Sequence, residues 1–220
     1  GTDPHYTKAE GWFDANTLYL GWYTDYIFNT QNVYNIGPIS PPTKIKMAVI
    51  GASKDGPVIA TYGHDHHLQI TCTTSSGSST LVDTMFSGYA ANKFYYGNFA
   101  TSQIPIGGTM DFNVNNLADA TFTYNRLATS FIDVKYPHNL NLEGASNYTM
   151  YVPDETLQSK SNYTFTSLTA SGNVYVYDLS NAKRLKVIPN VGGYKALIPN
   201  SGSEKKCFIT LYFIFSASNT

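Results

Sequence analysis

The chain has 220 residues, 13% of them charged, with a formal net charge of −1. That length suits one large sandwich or two small domains. Without clustered Lys and Arg nothing points to a nucleic-acid partner, whose phosphates demand such clusters, and no run of about 18 apolar residues is present to form a membrane-spanning helix.

Aromatic residues make up 15% of the chain, with 18 Tyr against 2 Trp. Tyr and Thr favour strands, and long helical periodicity is absent. From the N-terminus, Trp12, Tyr19, Trp22, Tyr23 and Tyr26 form an aromatic cluster. It fits docking onto a neighbouring surface, a sugar platform or inward packing; Trp12, Trp22 and Tyr23 are the candidate ligand or partner surface. The breaker stretch Gly37 to Pro42 sets off residues 1–42 as an N-terminal arm packed on a single sandwich unit over 43–220.

Strands are expected over 17–28, 44–52, 66–73, 99–104, 109–114, 120–124, 130–136, 148–152, 163–168, 173–177, 184–188, 194–198 and 207–215. Turn signals such as Lys54-Asp55-Gly56-Pro57, Gly107-Gly108, Ser171-Gly172 and Gly192-Gly193 separate them. So many short strands exceed an immunoglobulin sandwich and suit an all-β, jelly-roll-like antiparallel β-sandwich with an N-terminal arm. The strand from Cys207 is apolar on both faces, so it belongs inside a sheet.

Gly63-His64-Asp65-His66-His67 is the single metal-like cluster of the sequence. In extended backbone His64 and His66 share a face, and such a pair can chelate Zn, Cu or Ni. No third ligand is evident, and the competing reading is a strand-start histidine packed at the rim of the sandwich. Asp111, Asn113 and Asn115 share a strand face of oxygen donors, the kind calcium takes; a solvated strand face is the plainer reading. Cys72 and Cys207 read as buried free thiols rather than a disulfide framework. Neither lies in a Gly-rich exposed turn of the kind a nucleophile needs. No cofactor is implied.

Two alternating phrases in the second half carry a family resemblance. They are Ile132-Asp133-Val134-Lys135-Tyr136-Pro137 and Val176-Tyr177-Asp178-Leu179, the second ended by the turn cluster Asp178 to Asn181. Together with Glu10-Gly11-Trp12-Phe13 and the His66-His67-Leu68-Gln69-Ile70 strand, they resemble the β-sandwich domain that precedes the protease domain in gingipain-like (family C25) cysteine peptidases of Bacteroidetes. The chain departs from that pattern at the Ser/Thr/Gly run Thr73 to Thr80 and at His138, which follows the Tyr-Pro pair. The resemblance implies a non-catalytic accessory or prodomain-like scaffold of a secreted or cell-surface protein of the type IX secretion class. Its partner would be the catalytic domain of the same polypeptide. The alternatives are a carbohydrate-binding module, with glycans as partners, or a surface adhesin domain. The family's Gly-His-Gly motif has no counterpart, since Asp65 follows Gly63-His64, so no catalysis is expected within the chain. The absence of Met at Gly1, and an end just past an apolar strand, suit a piece of a longer protein.

Overall fold

The computed structural model describes residues 17–211 except 106, 120, 121, 123, 170 and 171, and gives the backbone alone for 91–98 and 211. The described residues divide into two compact units between Asn139 and Leu140.

The first unit contains β1 (Leu18–Tyr19), β2 (Tyr23–Thr30), β3 (Thr43–Gly51), α1 (Gly56–Tyr62), β4 (His66–Thr74), β5 (Gly77–Phe86), β6 (Ala91–Phe99), β7 (Gly108–Asn116) and β8 (Arg126–Lys135). Two antiparallel four-stranded sheets result, in the orders β1-β8-β3-β6 and β2-β7-β4-β5. Every connection crosses from one sheet to the other except the β4–β5 hairpin. That winding is the jelly roll.

Alternation explains why the sheets face each other. Ile45, Met47 and Val49 on β3, Leu68, Ile70 and Cys72 on β4, and Met110, Phe112 and Val114 on β7 are all buried and form one core. Residues two apart point to the same face, so each strand supplies a row of apolar side chains. Each large one contributes about 1.5–3 kcal/mol on burial. Phe28 packs edge-on against Phe112 at 5.5 Å between centroids, which closes the core near β2.

The second unit contains β9 (Asn147–Val152), β10 (Lys160–Thr166), β11 (Val174–Asp178), β12 (Lys183–Lys186), β13 (Ile188–Asn190), β14 (Gly193–Pro199) and β15 (Lys205–Leu211). Its sheets run β12-β11-β15-β9 and β10-β14-β13. Val174, Val176, Cys207 and Ile209 from the first meet Phe165, Ala196 and Ile198 from the second in a separate core. Strand β15 lies between β11 and β9, the interior position its two-faced apolarity called for. Asp178 ends β11 as expected: its carboxylate accepts from the backbone N–H groups of Ser180 and Asn181, both at 3.1 Å.

The all-β, jelly-roll-like sandwich is therefore present, but not as one unit over 43–220. The division falls after Asn139 because two separate apolar clusters form, each closed by its own pair of sheets. The described part of the expected arm, residues 17–42, carries β1 and β2, which belong to the sheets of the first unit.

Local differences have local causes. The single strand expected over 17–28 breaks at Gly21, whose φ of +76° permits a turn that sends β1 and β2 into different sheets. The Lys54 to Pro57 turn opens α1. Asp55 caps it, its side chain accepting from Val58 N–H at 3.2 Å, and Gly63 ends it in left-handed backbone. The Ser/Thr/Gly run forms the tip of the β4–β5 hairpin, with Thr74 opposite Gly77. Where a strand was expected over 99–104, β6 ends at Phe99 and a 3-10 turn covers Thr101–Gln103.

Candidate functional site

One end of the jelly roll joins an exposed arginine–aromatic rim to a buried polar network. It begins with strand pairing. In the β1–β8 ladder Tyr19 lies directly opposite Arg126, and such cross-strand neighbours interact. The Arg126 guanidinium carbon stands 4.5 Å from the Tyr19 ring centroid and 5.0 Å from that of Tyr124. A cation over an aromatic face is attracted by the ring's negative quadrupole. Arg126 thus has two such contacts.

Trp22 joins through the turn. Its N–H donates to Tyr19 O at 2.9 Å, with Gly21 at the position that requires positive φ. The indole then meets the Tyr19 ring edge-on at 5.3 Å. Tyr19, Trp22 and Tyr124 are 41%, 61% and 48% exposed, so their surfaces stay open to a partner.

Beneath the rim, Asn125 points inward between the outward-facing Tyr124 and Arg126. Its Nδ2 donates to Asn116 Oδ1 at 2.7 Å, and Asn116 Nδ2 donates to Leu18 O at 2.9 Å. Asn116 also ties down the turn through its backbone: Gly21 N–H donates to its carbonyl at 2.7 Å, and its own N–H donates to Trp22 O at 2.9 Å. Each segment that presents a rim residue is therefore bonded to Asn116 or to its partner Asn125.

The network ends at His66, which is fully buried. Its Nδ1 meets Asn125 Oδ1, and its Nε2 lies 3.1 Å from Ser53 O and 3.0 Å from Gly88 O. The polarity is fixed from both ends, because backbone carbonyls only accept. Leu18 O orients Asn116, Asn116 orients Asn125, and Asn125 presents its oxygen to His66. Both ring nitrogens then face oxygens, Asn125 Oδ1 on one side and the Ser53 and Gly88 carbonyls on the other. Asp65, also buried, places Oδ1 3.5 Å from Nε2 and accepts from Asp55 N–H at 2.6 Å and Gly88 N–H at 2.7 Å. Gly51 leaves room for the ring: a Cβ there would lie 1.9 Å from Gly88 O and 2.6 Å from His66 Nε2.

The two histidines of the expected metal pair have different surroundings. His64 packs edge-on against Phe122 at 5.8 Å between centroids, while the ring nitrogens of His66 contact Asn125, Ser53 and Gly88. Among the described residues no group of three His, Cys, Asp or Glu side chains could hold a metal. His67 instead sits between two carboxylates, with Nδ1 2.7 Å from Asp119 and Nε2 2.7 Å from Asp83. Burial alone would lower its pKa, but bonding to Asp83 and Asp119 outweighs that and raises it. The same bond, helped by Gln69, holds the Asp83 carboxyl below its usual range.

On the face named for calcium, Asn113 donates to Asp25 at 2.6 Å and Asn115 donates to Asn113. Burial and then the neighbouring Asp25 push the Asp111 carboxyl up. Cys72 and Cys207 are buried free thiols in different units. Burial, then Asp111, pushes Cys72 to about 12; burial, then Asp178, pushes Cys207 to about 11. Neither is a ready nucleophile.

Of the predicted surface, Trp22 and Tyr23 are both exposed, while Trp12 lies outside the described residues. Arg126 and Tyr124 were not singled out as ligand residues. One alternation signal pointed to them: in Tyr124-Asn125-Arg126-Leu127 the amphipathic aromatic and the cation share one parity.

In comparison with known proteins, no family model and no curated protein matches the chain. The likeness to gingipain-like peptidases therefore rests on the quoted strand phrases alone.

Proposed function

We propose that this chain is a non-catalytic β-sandwich module that works by surface recognition, packing its exposed aromatic side chains against another protein surface. The observation that carries this reading is the strip along β2 and the turn before it. Trp22, in the turn, and Tyr23 are each 61% exposed and Ile27 is 64% exposed, and among the described residues β2 is hydrogen-bonded on one side only. Proteins normally blunt such an edge with charge, proline or a covering segment, and large apolar side chains grouped on an exposed surface mark interaction sites. Interfaces draw their energy from aromatic anchors of this type.

In its finer form the reading makes the partner the catalytic domain of a gingipain-like peptidase, with the module secreted or at the cell surface and the chemistry elsewhere. The strand phrases are its support. The jelly roll alone does not choose, because the same winding serves capsid, lectin and cupin domains. A second reading, glycan recognition, is favoured by the Arg126 rim.

The test is a photo-crosslinking residue at position 23, with the chain in its native polypeptide, and a control residue at the exposed hairpin position Thr80. Crosslinks to a protein surface from position 23 and not from position 80 support packing. Equal or absent crosslinking at the two positions rejects it.

A further inference from the structure

The geometry points to a ligand site at the rim, one that takes a carboxylate-bearing sugar such as a uronic or sialic acid. It stands on the charge of Arg126 and shares Trp22 alone with the strip that carries the packing reading, so the two can fail separately.

Three observations carry it. First, the Arg126 guanidinium lies against the rings of Tyr19 and Tyr124, and its Nε is buried without a hydrogen-bond partner. Among the described residues no carboxylate forms an ion pair with it. A cation with no counter-charge among the described residues is poised for an anion, and the guanidinium fork matches a carboxylate in shape. Second, Tyr19, Tyr124 and Trp22 surround that charge with exposed ring surface. The negative face of an aromatic ring attracts the polarised C–H groups that line one side of a pyranose. A sugar acid meets both demands at once, with its ring against tyrosine or indole and its carboxylate toward Arg126. Third, Asn116 and Asn125 hold the segments bearing these side chains, and a fixed first layer limits the ordering cost of binding.

Other anions fit less well. A nucleic acid needs a run of cations, which the sequence lacks. An extended acidic peptide would pair with free backbone, and among the described residues β1 offers Leu18–Tyr19 alone.

The experiment is a titration of the folded chain with sialyllactose and with tetragalacturonate, using lactose and methyl-esterified tetragalacturonate as neutral controls. The readouts are tryptophan fluorescence and the NMR signals of the Trp22 indole and Arg126 Nε. Expected is saturable binding of at least one acid, with shifts at both side chains and at least about tenfold weaker binding of its neutral counterpart, the discrimination of a charge-assisted contact. Arg126→Gln should abolish it. Trp22→Ala, at an exposed turn position that leaves the core intact, should weaken it several-fold and guards against misfolding of the first variant. The proposal is overturned if neither acid perturbs these signals up to about 10 mM, if acid and neutral forms bind alike, or if binding survives Arg126→Gln in a folded protein.

Discussion

Tyr19 and Arg126 face each other across the β1–β8 ladder, with the guanidinium carbon 4.5 Å from the ring centroid. One pairing thus fixes a strand register and builds the exposed rim. The register in turn depends on Asn116 and Asn125 below it, which makes the buried network the place where sequence changes act on the surface.

Asn116→Ala removes one member and leaves Asn125 Nδ2 without its Asn116 acceptor. Each buried group left unpaired costs about 1–3 kcal/mol. The variant should unfold at lower denaturant and show altered Trp22 fluorescence in the native state. Chemical denaturation followed at the tryptophans checks both.

Gly51→Ala should destabilise the first unit more than an ordinary surface Gly→Ala change. The added methyl meets Gly88 O and His66 Nε2, both in buried residues. A loss of at least about 1–3 kcal/mol is expected, in the range for overpacking. Thermal melts against Gly56→Ala, where a Cβ meets nothing within 4 Å, isolate the steric effect.

The sign of the His67 effect follows from its raised pKa. Protonation in the folded state is favoured over an ordinary value of 6.5, so its contribution is present in full below that value and is lost as pH rises through the folded pKa. Asp83, held low, works oppositely: its share is present above 3.8 and is lost as pH falls through its own folded value. The pair is therefore strongest between those two limits. The melting-temperature gap between wild type and His67→Gln should be wider near pH 6 than near about pH 9. A gap that is constant across this range would contradict the assignment.

Much of the architecture was legible because period-2 alternation is a strong signal. Val174 and Val176 are buried and Tyr175 and Tyr177 partly exposed, as their parity demanded, and β15 took the central place that its sequence implied. The strand β5 was not legible. Its Gly77-Ser78-Ser79-Thr80 start reads as loop chemistry, and cross-strand pairing with β4 overrides that local preference. Two units rather than one were also hidden, since no linker composition marks Asn139–Leu140 and the division lies in which apolar rows meet. The surroundings of the histidine cluster were hidden for a related reason. Spacing showed that His64 and His66 could share a face, but long-range contacts to Asn125, Ser53 and Gly88 decide what His66 does.

Two cores predict two responses. Phe112→Ala empties the first and Phe165→Ala the second, each at a fully buried position and each costing about 3–5 kcal/mol. Hydrogen exchange resolved by residue should show lost protection confined to β1–β8 for the first variant and to β9–β15 for the second. Loss throughout the chain in either case would mean that the units unfold together.

The most direct test of the recognition module is side-chain footprinting by hydroxyl radicals. The isolated chain is compared with the same chain in the assembly or longer polypeptide that carries it in its native source. Trp22, Tyr23 and Ile27, all more than half exposed in the chain alone, should be strongly protected in the native context, while Thr80 on the β4–β5 hairpin is labelled equally in both. Equal labelling of all four residues in the two samples would contradict the account.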